Sequence, residues 1–92
     1  MAITMGSYGV GVFENCEATL SGSTINIIAP DGYVEFRFYA PIAYATTQAY
    51  QVNGSTYPVV KLNGEAPSDN EWVANAPITM MLNEDTLYVQ DV

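Results

Sequence analysis

The sequence predicts an all-β fold, a compact antiparallel β-sandwich or small barrel of about six to eight short strands. Three observations support this prediction. Apolar residues recur with a period of two, instead of the three-to-four spacing of a helix. β-branched and aromatic residues dominate these runs. Turn signals rich in Asn, Asp, Ser and Gly separate the runs at intervals of about ten residues.

The chain length predicts a single domain, residues 1–92, because a second hydrophobic core would not fit in 92 residues. Apolar residues make up 49% of the chain and charged residues only 13%, so a core can form. The glycine-rich stretch Gly6–Gly11 predicts an N-terminal arm over residues 1–12. We expect the β core to occupy residues 13–92.

The first predicted hairpin pairs residues 17–20 with Thr24–Ile28 across a Ser-Gly-Ser turn. The next run, residues 33–39, has the clearest alternation of the chain. Its apolar side chains share one face and its polar side chains share the other, as a half-buried strand requires. The apolar face consists of Val34, Phe36 and Phe38, and the polar face of Tyr33, Glu35, Arg37 and Tyr39.

Two further hairpins follow from turn chemistry. Asn53-Gly54 predicts a type I′ turn, since both residue types tolerate positive φ, and it joins Ala49–Val52 to residues 55–60. An acidic turn joins residues 78–83 to residues 86–90.

Two segments do not fit the alternating pattern. Residues 40–45 contain a proline and several alanines, and are interpreted as an edge strand or a crossing loop. Residues 65–75 are predicted to form a loop that ends on Trp72 as a buried anchor, with a single helical turn as the alternative.

The charge balance excludes several classes of function. Arg37 and Lys61 are the only basic residues against ten acidic ones, there is no histidine, and the net charge is −8. Binding of nucleic acid or of an anionic membrane surface needs clustered basic residues, so neither is expected. Without histidine the chain lacks the commonest general base and the commonest transition-metal ligand. We therefore expect no enzyme activity, no cofactor and no catalytic or metal-binding set.

Calcium is the alternative that the acidic residues leave open. The loops Asp69-Asn70-Glu71 and Asn83-Glu84-Asp85 are rich in the oxygen ligands that hard cations prefer. Neither loop matches the spacing of an EF-hand, and solvated turn carboxylates are the simpler interpretation.

Cys16 is the only cysteine, so the chain cannot form an internal disulfide, and a reducing compartment is expected. No basic residue flanks Cys16 in the sequence, which favours a buried structural thiol over a nucleophile.

The N-terminal residues lack the basic start and apolar stretch of a signal peptide. No apolar run approaches the roughly 20 residues of a membrane helix. We expect synthesis in the cytoplasm without a signal peptide.

Seven tyrosines are the most unusual feature of the composition. Tyrosine offers a broad contact area at low entropic cost, so exposed tyrosines could form a glycan- or protein-binding face. The candidate residues of this face are Tyr33, Tyr39 and Trp72. The alternative is that tyrosines fill the outer strand faces, which β propensity favours.

The C-terminal half contains three motifs in succession. An Asn-Gly turn is followed by Tyr57-Pro58-Val59, and the segment Trp72-Val73-Ala74-Asn75-Ala76 comes next. The last motif is a hairpin that ends in Leu87-Tyr88-Val89-Gln90. These motifs resemble those of small β domains in virion proteins of tailed bacteriophages, of the tail-fibre, tail-associated or capsid decoration type. Asn75 stands where such domains usually have a glycine.

This resemblance implies a non-enzymatic structural or adhesive component of the virion. It implies a homo-oligomer, with a trimer favoured, that packs against other virion proteins after synthesis in the host cytoplasm. A carbohydrate- or receptor-binding β module is the alternative, and a small enzyme or an acidic inhibitor of a basic partner surface is a third hypothesis.

Overall fold

Eight β-strands and no helix make up residues 12–91, the part of the chain that the computed structural model describes, and this confirms the predicted all-β class. The strands are β1 (Val12–Ser21), β2 (Thr24–Ile28), β3 (Glu35–Tyr39), β4 (Ala49–Val52), β5 (Ser55–Tyr57), β6 (Val59–Lys61), β7 (Pro77–Asn83) and β8 (Thr86–Val89). The glycine-rich stretch of the predicted arm lies outside the described residues. Within those residues, no helix is long and apolar enough to cross a membrane.

The strands form one sheet in the order β5-β4-β2-β1-β3-β7-β8-β6. The two edge strands, β5 and β6, are consecutive in the chain and separated only by Pro58. We call residues 55–61 the closing segment, because its first half pairs with β4 and its second half with β8. The sheet is therefore a nearly closed barrel, which is one of the two predicted architectures.

The sheet is mixed, whereas the sequence predicts an antiparallel one. Three pairs are parallel: β1 with β3, β2 with β4, and β6 with β8. Each parallel pair joins strands that are not joined by a short turn, so no local sequence signal reports it. The antiparallel signals in the sequence come from hairpin turns, which describe only neighbouring strands.

All three predicted hairpins are present: β1–β2, β4–β5 and β7–β8. At the β4–β5 turn Asn53 has φ 51° and Gly54 has φ 88°, as a type I′ turn requires. The strand predicted for residues 55–60 is divided at Pro58, because proline has no N–H to donate to a ladder. Beyond Pro58 the chain continues in the same direction and pairs with β8 instead of β4.

The core fills the barrel with alternate residues of the strands. Phe36 and Phe38 are fully buried, as their shared face predicts, whereas Val34 precedes β3 and is 42% exposed. Cys16 is buried as well, and burial raises the pKa of its thiol, which agrees with a structural role. The other buried apolar side chains of the strands are Ile25, Ile27, Tyr50, Val52, Ile78, Met80, Leu87 and Val89.

Two long connections cross one end of the barrel. We call residues 40–48, between β3 and β4, the first crossing loop, and residues 62–76, between β6 and β7, the second crossing loop. Of the two interpretations of residues 40–45, the crossing loop is confirmed. The predicted loop over residues 65–75 is also found, without a helical turn, and Trp72 within it is only 5% exposed.

Backbone hydrogen bonds join the two crossing loops and extend the β3–β7 ladder beyond the sheet. The N–H of Ala40 donates to the carbonyl of Ala76 at 2.9 Å, and the N–H of Asn75 donates to the carbonyl of Ala40 at 2.7 Å. The N–H of Tyr44 donates to the carbonyl of Trp72 at 3.0 Å. Asn75 has φ 69°, a left-handed conformation that asparagine tolerates better than most residues, so it serves at this turn without a glycine.

We predict that Asn53→Ala lowers the free energy of unfolding by about 2–4 kcal/mol in urea denaturation. The Asn53 side chain donates to the carbonyl of Ala29 at 2.8 Å and accepts from the N–H of Ala29 at 3.0 Å. Alanine removes both bonds and disfavours the positive φ. Asn63→Ala is the matched control, because Asn63 also precedes a glycine but has no positive φ. Equal losses for the two variants would contradict the prediction.

We predict that Glu84→Gly raises the free energy of unfolding by about 0.5–1 kcal/mol, because Glu84 has φ 59° in the β7–β8 turn. Asp85→Gly is the control, since Asp85 follows in the same turn without a positive φ. Asp85→Gly removes one negative charge, as Glu84→Gly does, but it relieves no positive φ. Its main effect is to add backbone entropy to the unfolded chain, so it should destabilise the protein. Thermal unfolding of both variants checks the prediction, and a loss of stability in Glu84→Gly would refute it.

Candidate functional site

A cleft of about 350 Å³ opens beside the closing segment, where the sheet nearly meets itself. Its volume lies at the lower end of the range for small-molecule sites, roughly 300–1,000 Å³. The first crossing loop forms one wall, and β4 and the closing segment form the other. The side chains relevant to binding are Tyr44, Thr46, Gln48, Tyr50, Thr56 and Tyr57.

Local hydrogen bonds fix the wall made by the first crossing loop. The backbone N–H of Gln48 donates to the carbonyl of Ala45 at 3.0 Å and closes a turn. The side-chain amide nitrogen of Gln48 donates to the carbonyl of Ala43 at 2.9 Å. The N–H of Thr46 donates to Asp69 Oδ1 of the second crossing loop at 2.7 Å. The loop is thus held both by its own turn and by its neighbour.

The side chains that line the cleft carry no charge, although burial and then the nearby Asp69 carboxylate, which is bonded to the Thr46 N–H, raise the pKa of Tyr44. All of the lining residues of the cleft lie in residues 38–60, a stretch without Asp, Glu, Lys, Arg or His. A second charge-free stretch covers residues 72–83. A charged ligand would therefore find no counter-charge on the lining side chains, whereas a neutral ligand needs none.

Three aromatic side chains pack together at the cleft: Tyr44 and Tyr50 line it, and Trp72 packs against both. The Trp72 ring lies 4.7 Å from the Tyr44 ring and 6.4 Å from the Tyr50 ring, measured between centroids. Tyr44 and Tyr50 are stacked with their centroids 6.2 Å apart. Such aromatic pairs add stability beyond their buried area, so this aromatic cluster anchors both crossing loops to β4.

Three polar atoms at this place are buried and have no hydrogen-bond partner among residues 12–91: Gln48 Oε1, the Tyr50 hydroxyl and Trp72 Nε1. Native proteins leave few such groups, because each costs about 1–3 kcal/mol. Since the Gln48 amide nitrogen is already bonded, its free oxygen can only accept. The site therefore has unused capacity to accept and to donate.

Burial raises the pKa of Tyr50 to about 12, and the nearby Trp72 N–H partly offsets this shift. Tyr50 is only 2% exposed. The indole N–H is close enough to favour the phenolate, yet it does not meet the hydroxyl in the geometry of a hydrogen bond. Tyr50 thus stays a neutral phenol throughout the physiological pH range.

The structure does not gather the three candidate residues of the predicted binding face into one surface. Tyr39 is 59% exposed at the end of β3. Tyr33 precedes β3 and is half-buried. Its ring makes an edge contact with the ring of Phe13, with the two centroids 5.0 Å apart. Trp72 is buried in the aromatic cluster. A binding role for these residues stays a prediction, and Tyr39 is the most accessible of them.

Gln48 and Tyr50 line the cleft but are not among the site residues that the sequence predicts. Their one signal in the sequence is the charge-free stretch of residues 38–60, in which tyrosines recur among small and polar residues. The charge-free stretch points to a binding site only once the first crossing loop and the closing segment are known to face each other.

In the first of the two acidic loops considered for calcium, Asp69-Asn70-Glu71, the carboxylates have other partners. Asp69 accepts from Thr46, and Glu71 accepts from the N–H of Ser68 at 3.0 Å and lies 3.7 Å from Lys61 Nζ. In residues 12–91 no three side chains of His, Cys, Asp or Glu come together to hold a metal ion. The calcium hypothesis gains no support from this arrangement.

Comparisons with protein-family models, curated proteins and solved structures find no match to this chain. The resemblance to tailed-phage virion proteins therefore stays a prediction.

We predict that stability falls as the pH rises from 10 to 12, in part because of Tyr50. Above pH 10 the unfolded chain loses the Tyr50 proton, whereas the folded protein retains it up to about pH 12. Ionisation thus favours the unfolded state, by at most about 1.4 kcal/mol per pH unit for one group. Tyr50→Phe should reduce this slope and leave stability at pH 7 unchanged or slightly higher, since it removes an unpartnered hydroxyl.

Urea denaturation at pH 7 and between pH 10 and 12 measures both effects. Tyr39→Phe is the matched control, because it removes the hydroxyl of an exposed tyrosine and leaves Tyr50 intact. Parallel stability–pH curves for Tyr50→Phe and the unmodified protein would contradict the role assigned to burial.

Proposed function

We propose that the protein is a non-enzymatic structural component of a bacteriophage virion, of the tail-fibre-associated or capsid decoration type, that acts by oligomeric packing. The virion setting is supported by the sequence resemblance. The packing role is supported by one surface of the barrel, which carries exposed apolar residues and no charge.

This surface, which we call the apolar end, consists of Tyr39, Ile42, Val73 and Pro77. All four residues are exposed, Tyr39 by 59% and Val73 by 64%. Tyr39 and Pro77 are cross-strand partners, and the hydrogen bonds between the crossing loops keep the remaining residues at the same end. Exposed apolar surface that lacks charge is typical of protein–protein contacts.

A second copy of this chain is the partner that the charge distribution favours. With a net charge of −8, copies repel each other wherever their carboxylates approach. The four residues of the apolar end lie within the two charge-free stretches, residues 38–60 and 72–83, so they bring no carboxylate of their own to the contact. A symmetric homo-oligomer, with a trimer favoured by the resemblance, satisfies this condition.

A carbohydrate-binding β module is the second candidate function. The observation that favours it is the neutral cleft, with its aromatic cluster and its unpartnered polar atoms. The two functions use different surfaces, since the cleft lies beside the closing segment and the apolar end lies on the β3–β7 side.

We predict that size-exclusion chromatography with light scattering gives about three times the 10.0 kDa protomer mass. The double variant Tyr39→Ser, Val73→Ser should elute as a monomer, because it removes apolar contact area from the interface. Its free energy of unfolding measured on the monomer should change by no more than about 0.5 kcal/mol per site, since both side chains are exposed.

Val34→Ser is the matched control, since Val34 is 42% exposed at the opposite end of β3 and should leave the oligomer intact. A strict monomer at about 100 µM protein would overturn the packing role. The virion setting has its own test, which is mass spectrometry of phage particles from cells that make the protein. Absence of the chain from those particles would reject that setting.

A further inference from the structure

We propose that the cleft between the first crossing loop and the closing segment binds one neutral sugar unit of a glycan, with Gln48 and Tyr50 as its hydrogen-bonding residues. The proposal rests on the second candidate function and assigns it a site. It does not depend on the packing role, because the residues of the apolar end do not line the cleft.

The absence of charge restricts the class of ligand. The lining residues carry no cation for a phosphate or carboxylate, and no anion for an amine or metal ion. A ligand that enters must give up water around its polar groups, so a charged group would lose hydration without gaining a partner. Neutral molecules with many hydroxyls meet this condition.

Two buried, unpartnered atoms belong to residues that line the cleft, and the proposal assigns the ligand's hydrogen bonds to them. Gln48 Oε1 needs a donor, because the amide nitrogen of the same side chain is held by the Ala43 carbonyl. The Tyr50 hydroxyl, on a side chain that is 98% buried, both donates and accepts. The hydroxyls of a sugar ring both donate and accept, so they match the hydrogen-bonding capacity of these two groups.

The rest of the lining suits the apolar face of a sugar. Tyr44 and Tyr57 present aromatic surface to the cleft, and Pro58 and Val59 add apolar surface. Hydroxyls of Thr46 and Thr56 stand at the same cleft. A mostly apolar lining with a few polar groups is the usual composition of a small-ligand site, and its volume admits one small ring.

Trp72 gives the site an intrinsic optical probe. It is the only tryptophan of the chain, and its ring packs on Tyr44, which lines the cleft. Its indole N–H is the third unpartnered polar atom. A ligand that contacts Tyr44 and Tyr50 should therefore change the intensity or the wavelength of tryptophan emission.

The experiment titrates the full chain with the methyl glycosides of glucose, galactose, mannose and N-acetylglucosamine. Tryptophan fluorescence and amide chemical shifts are followed together. We expect at least one glycoside to saturate both signals at millimolar concentration, with shifts centred on residues 44–50 and 56–59. Glucuronic acid, which adds a carboxylate to a sugar ring of the same size, should bind at least tenfold more weakly than glucose if glucose is the ligand.

Two variants connect the binding to the assigned atoms. Gln48→Leu removes the acceptor, and Tyr50→Phe removes the hydroxyl but keeps the ring, and each should weaken binding at least tenfold. Gln90→Leu and Tyr39→Phe are the matched controls, since neither residue lines the cleft, and both should bind like the unmodified protein. If Gln48→Leu fails to fold, Tyr50→Phe and the shift map of the unmodified protein still decide.

Several results would overturn the proposal. These are no saturable change up to about 20 mM of any glycoside, shifts centred away from the cleft, or unchanged affinity in both cleft variants. A neutral peptide that binds at the cleft while all glycosides fail would also overturn it. Running the titration on the double variant Tyr39→Ser, Val73→Ser separates the two functions, because sugar binding should persist even without the oligomer.

Discussion

The closing segment, residues 55–61, is the element on which the rest of the barrel depends. Its first half is antiparallel to β4 and its second half is parallel to β8, so one short stretch of chain occupies both edges of the sheet. Pro58 marks the exchange, and its carbonyl still accepts from the N–H of Leu87 at 2.8 Å. An open sheet of this size would expose two long edges to other chains, and the near-closure leaves as edges only β5 and β6, of three residues each.

Closure at this point also creates the cleft. The two ends of the sheet nearly meet at Pro58, where β5 ends and β6 begins. The first crossing loop passes close to this point, and the space between the loop and the closing segment is the cleft. The aromatic cluster packs against the first crossing loop. At the same place the hydroxyl of Tyr50 and the side-chain oxygen of Gln48 are buried and unpartnered. Native proteins contain few such groups, because each one lowers stability, and a hydrogen-bonding ligand is one way to satisfy them.

Local chemistry made most of the strands predictable, and long-range pairing made the site unpredictable. The turn at Asn53 could be recognised because positive φ restricts the residue types, and Phe36 and Phe38 because burial follows a period of two. Trp72 as a buried anchor followed from its setting in a polar loop. The parallel pairs and the approach of Gln48 to the closing segment depend on contacts between distant parts of the chain, for which one sequence carries no local signal.

Native-state hydrogen exchange measured by NMR tests most directly whether the closing segment completes the barrel. The account predicts that the Leu87 amide, which donates to Pro58, and the protected amides of β5 and β6 exchange only with the free energy of global unfolding. They would then match the amides of Phe36 and Phe38 in the core strand β3. Exchange of the closing segment by local opening, at a much lower free energy while β3 stays protected, would contradict the account.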